Sequence, residues 1–237
     1  MSSSETITCA LQALPVVELA GIVVLGLNPA LPQNEMKQSL GELQQEISGF
    51  SLSNYLVLER RRFTVKANWK LVNDLSLESY HFNSLHRDSV ATVLAPNAIV
   101  DTFGRHSRWA FPLKSIHRLE ALTEDQWPEN IEGSCTYTLY PGVMLIVNSS
   151  GAQMIRAEPG STVNESRVNF VGICRPETGL EEARQAYQFG GEVFAKEDLP
   201  VAEQCQQGLE ASRRELLLGA NEPLLQFWHR LWDDAIQ

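Results

Sequence analysis

Three observations predict an α+β fold for this 237-residue chain. Residues 98–175 carry a series of short β-type runs separated by turn signals. Residues 179–210 and 221–237 return to helical spacing. No repeat, low-complexity tract or long linker breaks the sequence, so sheet and flanking helices belong to one layered domain spanning 1–237.

The elements follow in order. Leu19-Ala-Gly-Ile-Val-Val-Leu-Gly-Leu27 is apolar, with Gly21 and Asn28-Pro29 as punctuation, and reads as a buried strand. Met36, Leu40, Leu43 and Ile47 recur in steps of three and four, which predicts one amphipathic helix over 34–49 closed by Gly49. Tyr55-Leu-Val-Leu and Phe63-Thr-Val-Lys predict a strand pair over 54–66. Residues 69–81 mix Leu71, Val72, Leu75, Leu77 and Tyr80 with acids, as a helix would. The β-type runs begin at Ala98, Arg108, Ser134, Val143 and Arg167, and Pro141-Gly142 and Pro159-Gly160 mark turns, which predicts an antiparallel meander. Leu224, Leu225, Trp228, Leu231 and Trp232 form one helical stripe, read as core.

Bulk properties exclude some functions. The net charge is −10, with 29 acids against 19 bases, which argues against a nucleic-acid partner. Cys9, Cys135, Cys174 and Cys205 stand singly, which predicts neither a disulfide framework nor a zinc ribbon. Residues 19–27 are too short to cross a membrane, Glu18 abuts them, and no Lys or Arg precedes them as in a signal peptide. The expectation is a cytoplasmic protein with no membrane partner.

Two of the five histidines, His81 and His86, lie close together, with Glu78 three residues before the first. Neutral imidazoles plus a carboxylate suit a mononuclear metal ion, and one more carboxylate elsewhere would complete a 2-His-1-carboxylate set. On an unbroken helix His81 and His86 would be about 140° apart, so the helix must end or bend between them, and Asn83-Ser84 lies there. Glu78 shares a face with His81 and reads as a carboxylate supporting that ring from behind, not necessarily a ligand. Zinc hydrolase chemistry on the same residue types is a separate reading.

The wider string Asn68-Trp69-Lys70, Asp74, Glu78-x-Tyr80-His81-x4-His86 resembles the iron-site motif of Rieske-type non-haem iron oxygenases, the aromatic-ring-hydroxylating oxygenase α subunits. Glu197-Asp198-x4-Glu203-x2-Gln206-x-Gly208-Leu209 is similar to the family's downstream ligand helix, and Glu222 to Leu231 is similar to its closing helix. The resemblance implies a helix-grip fold, a curved antiparallel sheet around a long C-terminal helix. It implies Fe(II) held by His81, His86 and Asp198. It implies a catalytic role for Glu78, bridging an iron-ligand histidine to a Rieske-cluster histidine on a neighbouring subunit. Trp69 and Tyr80 are expected to pack around the site, Cys205 to be a buried inert thiol, and His106, His117 and His229 to have ordinary surface or core roles. Substrate-binding residues are not assignable from the sequence.

The chain departs from the family in two places. The Cys-x-His and Cys-x-x-His that hold a [2Fe–2S] cluster are missing: Cys9 precedes Ala-Leu-Gln, and no histidine precedes His81. Residues 1–33 resemble the segment that follows the Rieske domain, so the expectation is the catalytic half alone: a separate product, a truncated form or a decayed paralogue. Asp74-Leu75 also stands where the family has Glu-Asn, which removes an amide from hydrogen bonding near the iron. The implied function is O2 activation at Fe(II) to hydroxylate, dihydroxylate or demethylate a small organic, typically aromatic, substrate. Electrons would come from a Rieske protein or domain and a reductase, within a homotrimer. The alternative is a catalytically incomplete helix-grip module that binds apolar ligands or serves as a partner subunit.

Overall fold

The computed structural model describes residues 11–129, 131–212 and 216–236. Cys9 lies outside them. The chain divides into two compact units, 1–54 and 55–237.

In the first unit, β1 (Val16–Leu19) and β2 (Ile22–Leu25) form an antiparallel hairpin. Ala20 and Gly21 make the turn with φ of 53° and 87°. Two positive values suit the right-handed twist of the strands. A Cβ on Gly21 would also come within 2.5 Å of the Ser53 backbone nitrogen. The single buried strand expected over 19–27 is therefore two strands and a turn, and Val23, Leu25 and Leu27 are exposed. The expected helix over 34–49 is also two pieces, α1 (Gln33–Lys37) and α2 (Leu43–Gly49). Gly41, at φ 52°, breaks it, yet Met36, Leu40, Leu43 and Ile47 are all buried.

The second unit is built on a seven-stranded sheet, in which every neighbouring pair is antiparallel. Its strands are β3 (Leu56–Val65), β4 (Ile99–Phe103), β5 (His106–Pro112), β6 (Gly133–Leu139), β7 (Val143–Asn148), β8 (Gly151–Pro159) and β9 (Ser166–Cys174). They run β3-β9-β8-β7-β6-β5-β4 across the sheet. The antiparallel meander expected over 98–175 is present, but with six strands where five runs were expected: β8, over Gly151–Pro159, was not among them. The strand pair expected over 54–66 is one strand with an irregularity between Val57 and Glu59. Arg60-Arg61-Arg62 runs along the sheet edge, where long polar side chains reach water and guard the open strand.

Helices pack on one face of this sheet. α4 (Leu180–Val193) passes without a break through a π-helical turn, Phe194–Asp198, into α5 (Leu199–Ala211). Tyr187, Phe194, Leu199 and Ala202 from this long helix meet Met144, Ile155, Val168 and Phe170 from the sheet. Gly172 permits that approach, since a Cβ there would fall 2.1 Å from the Tyr187 ring. α6 (Pro223–Ile236) lays Leu224, Leu225, Trp228 and Trp232 against Trp109 and Phe111 of β5. Trp228 is fully buried and donates its indole N–H to Ser107 Oγ at 3.0 Å. The expected stripe is therefore core, with Leu231 at its margin.

Candidate metal centre

The segment between α3 and β4 carries the candidate donors. The helix expected over 69–81 is shorter: α3 covers only Trp69–Asp74. Asn68 caps it, its side chain accepting the Lys70 amide at 3.0 Å. Two side chains of α5 hold the chain entering α3: Glu203 accepts the Lys66 amide and Gln206 the Asn68 amide, both at 2.9 Å. Trp69 packs edge-on against Trp232 at 5.5 Å. The Asn-Trp-Lys string and the Glu and Gln of the downstream helix thus describe one junction, α3 docked on α5 and α6.

After Asp74 the chain leaves the helix, and a 3-10 turn at Tyr80–Asn83 carries His81. The turn stops at Ser84, so the helix is interrupted between the two histidines and His86 lies beyond it. The two rings come to 4.9 Å between centroids. Asp198 arrives from the opposite side, at the end of the π turn and well inside the continuous helix, not at a helix N-terminus. One donor atom from each of His81, His86 and Asp198 lies within 4.8 Å of the others.

Carboxylates back both imidazoles. Glu78 contacts His81 Nδ1, and the His81 amide donates to the same carboxylate at 3.3 Å. Glu197 contacts His86 Nδ1 at 2.7 Å, and Ser89 Oγ donates to the same Glu197 oxygen at 2.7 Å. An ionised carboxylate only accepts, so each Nδ1 carries its proton and each Nε2 keeps a lone pair for an ion. His86 Nε2 lies 3.1 Å from Asp198 Oδ1. Two donors at right angles on an ion with bonds of about 2.1 Å lie about 3 Å apart, so this pair fits a divalent metal. Burial alone would lower the His86 pKa; hydrogen bonds and charge from Asp198, then Glu197, carry it above the ordinary histidine value. A cation at Nε2 would compete with a proton for the same lone pair.

Other assignments need correction. Tyr80 is not a packing residue: it is exposed, and its hydroxyl donates to Glu222. That contact pushes its pKa up to about 12 and keeps it a donor. Cys205 is exposed, not buried. His106 accepts the Tyr140 amide at 3.0 Å, His117 meets Glu120, and His229 meets Asp74, in keeping with ordinary structural roles. Sequence reasoning missed Glu197 and Ser89 as partners of His86. Phe82 forms the apolar wall beside the donors, with its ring 5.0 Å from His81 and 5.6 Å from His86, and Trp109 and Phe111 stand behind it.

Fold and site together define an antiparallel sheet covered by helices, with a 2-His-1-carboxylate cluster between a connecting segment and the long helix. The family of ring hydroxylating alpha subunits (catalytic domain) matches residues 52–237, and the chain belongs to it. Comparison with curated proteins returned no match. Among solved structures, the quaternary ammonium Rieske monooxygenase CntA in complex with an inhibitor is 18% identical with a TM-score of 0.76, covering 94% of this chain and 62% of that one. Dicamba monooxygenase bound to 3,6-dichlorosalicylic acid is 13% identical with a TM-score of 0.59, covering 93% and 69%. The terminal oxygenase of carbazole 1,9a-dioxygenase from Nocardioides aromaticivorans IC177 is 15% identical with a TM-score of 0.56, covering 98% and 70%. This chain thus spans about three-fifths of the length of the CntA structure it matches. These likenesses establish the α+β fold of the Rieske oxygenase catalytic domain. No helix among the described residues is long and apolar enough to cross a membrane.

Proposed function

We propose that the chain is an oxygenase catalytic domain holding one Fe(II) on His81, His86 and Asp198. The observation that carries this reading is the convergence of the three donors, each imidazole backed at Nδ1 by a carboxylate. Iron bound there would supply O2 activation for hydroxylation, dihydroxylation or demethylation. The chain's own residues do the rest. Glu78 and Glu197 orient the rings, and Phe82, packed on the core residues Trp109 and Phe111, gives the donors an apolar flank. Electrons would enter through Glu78 from a Rieske centre in trans, supplied in turn by a reductase. In a homotrimer that centre would belong to a neighbouring subunit.

The test is anaerobic loading with Fe(II), followed by metal analysis. The expected result is close to one iron per chain, lost in the His81→Ala, His86→Ala, Asp198→Ala triple variant. Undiminished iron binding in that variant would overturn the reading. Preferential retention of zinc, with hydrolysis and no O2 consumption when a Rieske donor is supplied, would replace it with the hydrolase.

A further inference from the structure

We propose that Glu197, steadied by Ser89, is a positioning residue for the metal centre that acts through His86. The proposal rests on the metal reading above and deepens it.

His86 is buried, and its two ring nitrogens face two consecutive residues of one helix. Glu197 takes Nδ1 at 2.7 Å and Asp198 faces Nε2 at 3.1 Å. Consecutive residues on an α-helix diverge by about 100°, which does not suit gripping opposite edges of one ring. The π turn Phe194–Asp198 ends on this pair and locally widens the helix. A widened turn at a ligand-bearing position is a common device for re-aiming side chains at functional sites.

Glu197 does not behave as a solvated surface acid. Its side chain is 29% exposed, and its ion pair is with His86. The neighbouring Lys196 is engaged by Glu192. Buried Ser89 donates to the same carboxylate oxygen that His86 uses, so that oxygen is fixed from two directions. With that oxygen accepting, His86 carries its proton on Nδ1 and presents Nε2 to the ion. Glu78 does the same for His81 from a different stretch of chain. The centre therefore has two independent carboxylate–histidine supports, and only that of Glu78 belongs to the proposed electron path.

The test is anaerobic Co(II) titration of the full chain, read by affinity and by the Co(II) electronic absorption spectrum. Glu197→Leu is expected to weaken Co(II) binding about 10–100-fold and to shift the spectrum, because the ring loses both its acceptor and a nearby charge. Glu197→Gln keeps an acceptor and should lose less. Ser89→Ala should lose less again while shifting the spectrum in the same direction. Wild-type affinity and spectrum in Glu197→Leu would overturn the proposal. Should that variant not fold, unchanged affinity and spectrum in both Glu197→Gln and Ser89→Ala would overturn it. Failure of the wild-type chain to bind Co(II) would overturn the metal reading and this proposal together, which separates that case from loss of the Glu197 role alone.

Discussion

Asp74 and His229 stand 155 positions apart in the chain, yet His229 Nε2 lies 3.2 Å from each oxygen of Asp74. The pair ties α6 to the end of α3, where the chain turns toward His81. Glu222, just ahead of α6, makes a second tie by accepting from Tyr80 and from the Gly219 amide. The closing helix is thus fastened at two points to the segment that carries the candidate donors.

The Asp74–His229 pair predicts a pH-dependent stability. The hydrogen bond to Asp74 raises the His229 pKa above the ordinary histidine value, against the opposing effect of burial. Burial raises the Asp74 pKa, against the opposing effect of His229. Both groups therefore bind protons more tightly folded than unfolded, and stability falls as pH rises through either window. For His229 the contribution is full below about 6.5 and is lost as pH climbs through its raised folded value. Thermal melts from pH 5.5 to 8.5 should show a melting-temperature gap between wild type and His229→Gln that narrows with rising pH. A hydrogen bond to a charged group contributes about 1.5–3 kcal/mol at most here. A gap that stays constant across the range would sink the assignment.

Asn68 predicts a stability effect at the α3–α5 junction. Its side chain caps α3, its own amide is held by Gln206, and its Nδ2 donates to the Val163 carbonyl at 2.6 Å. Loss of a helix cap costs about 1 kcal/mol, and Asn68→Ala removes a second hydrogen bond as well, so about 1–2 kcal/mol is expected by urea denaturation. Gln206→Ala should cost less, and the double variant should be less than additive because the two residues share this junction. Strict additivity would show that the contacts act separately.

Asn68, Glu203 and Gln206 stand out in the sequence only as parts of the family-like strings. That Asn68 caps α3 is visible only in the structure. That Glu203 and Gln206 accept backbone amides is visible only once α3 and α5 are brought together, because those two contacts span more than 130 residues. Five of the six strands over 98–175 were legible because turn signals punctuate apolar runs; β8 was not, since Gln153, Arg156 and Glu158 interrupt its apolar residues. Other features resisted reading for physical reasons. Gly41 breaks the helix over 34–49 without disturbing which residues are buried, so the apolar period looks continuous. The 69–81 pattern stays apolar after Asp74 because Leu77 is buried in the next turn of chain, not on the helix. The π turn inserts one residue into a long helix and leaves its composition ordinary, so the pairing of Glu197 with His86 had no local signal. His81 and His86 stand out as a close pair beside Glu78, whereas Asp198, more than 110 residues on, is reached only through the family resemblance; the structure brings the three together, with metal loading as the test.

Gly172 predicts an overpacking penalty. It sits inside β9 directly beneath the Tyr187 ring, and Tyr187 is itself held between Phe170, at 5.3 Å, and the Arg61 guanidinium, at 5.0 Å. A methyl group at 172 has no room, and the ring cannot move without disturbing both neighbours. Gly172→Ala should destabilise the fold by about 1–3 kcal/mol. Pairing it with Tyr187→Leu should recover part of that loss, since the smaller side chain vacates the contact. A neutral Gly172→Ala in denaturation would contradict the packing of α4 on the sheet.

Glu78 predicts a separation of metal binding from electron delivery. Its carboxylate backs His81 through Nδ1 while the side chain stays about one-eighth exposed, at 13%. Glu78→Gln keeps an acceptor for Nδ1 and removes the charge. Metal affinity should therefore fall by no more than about tenfold, at the low end of the range for groups that support a ligand. With a Rieske donor supplied, substrate turnover should drop far more than metal content, because the residue proposed to link the two centres is altered while the donors remain. Metal analysis and single-turnover product yield on the same preparation separate the two effects. Parallel loss of metal and turnover would assign Glu78 to holding His81 alone; loss of neither would remove it from the site.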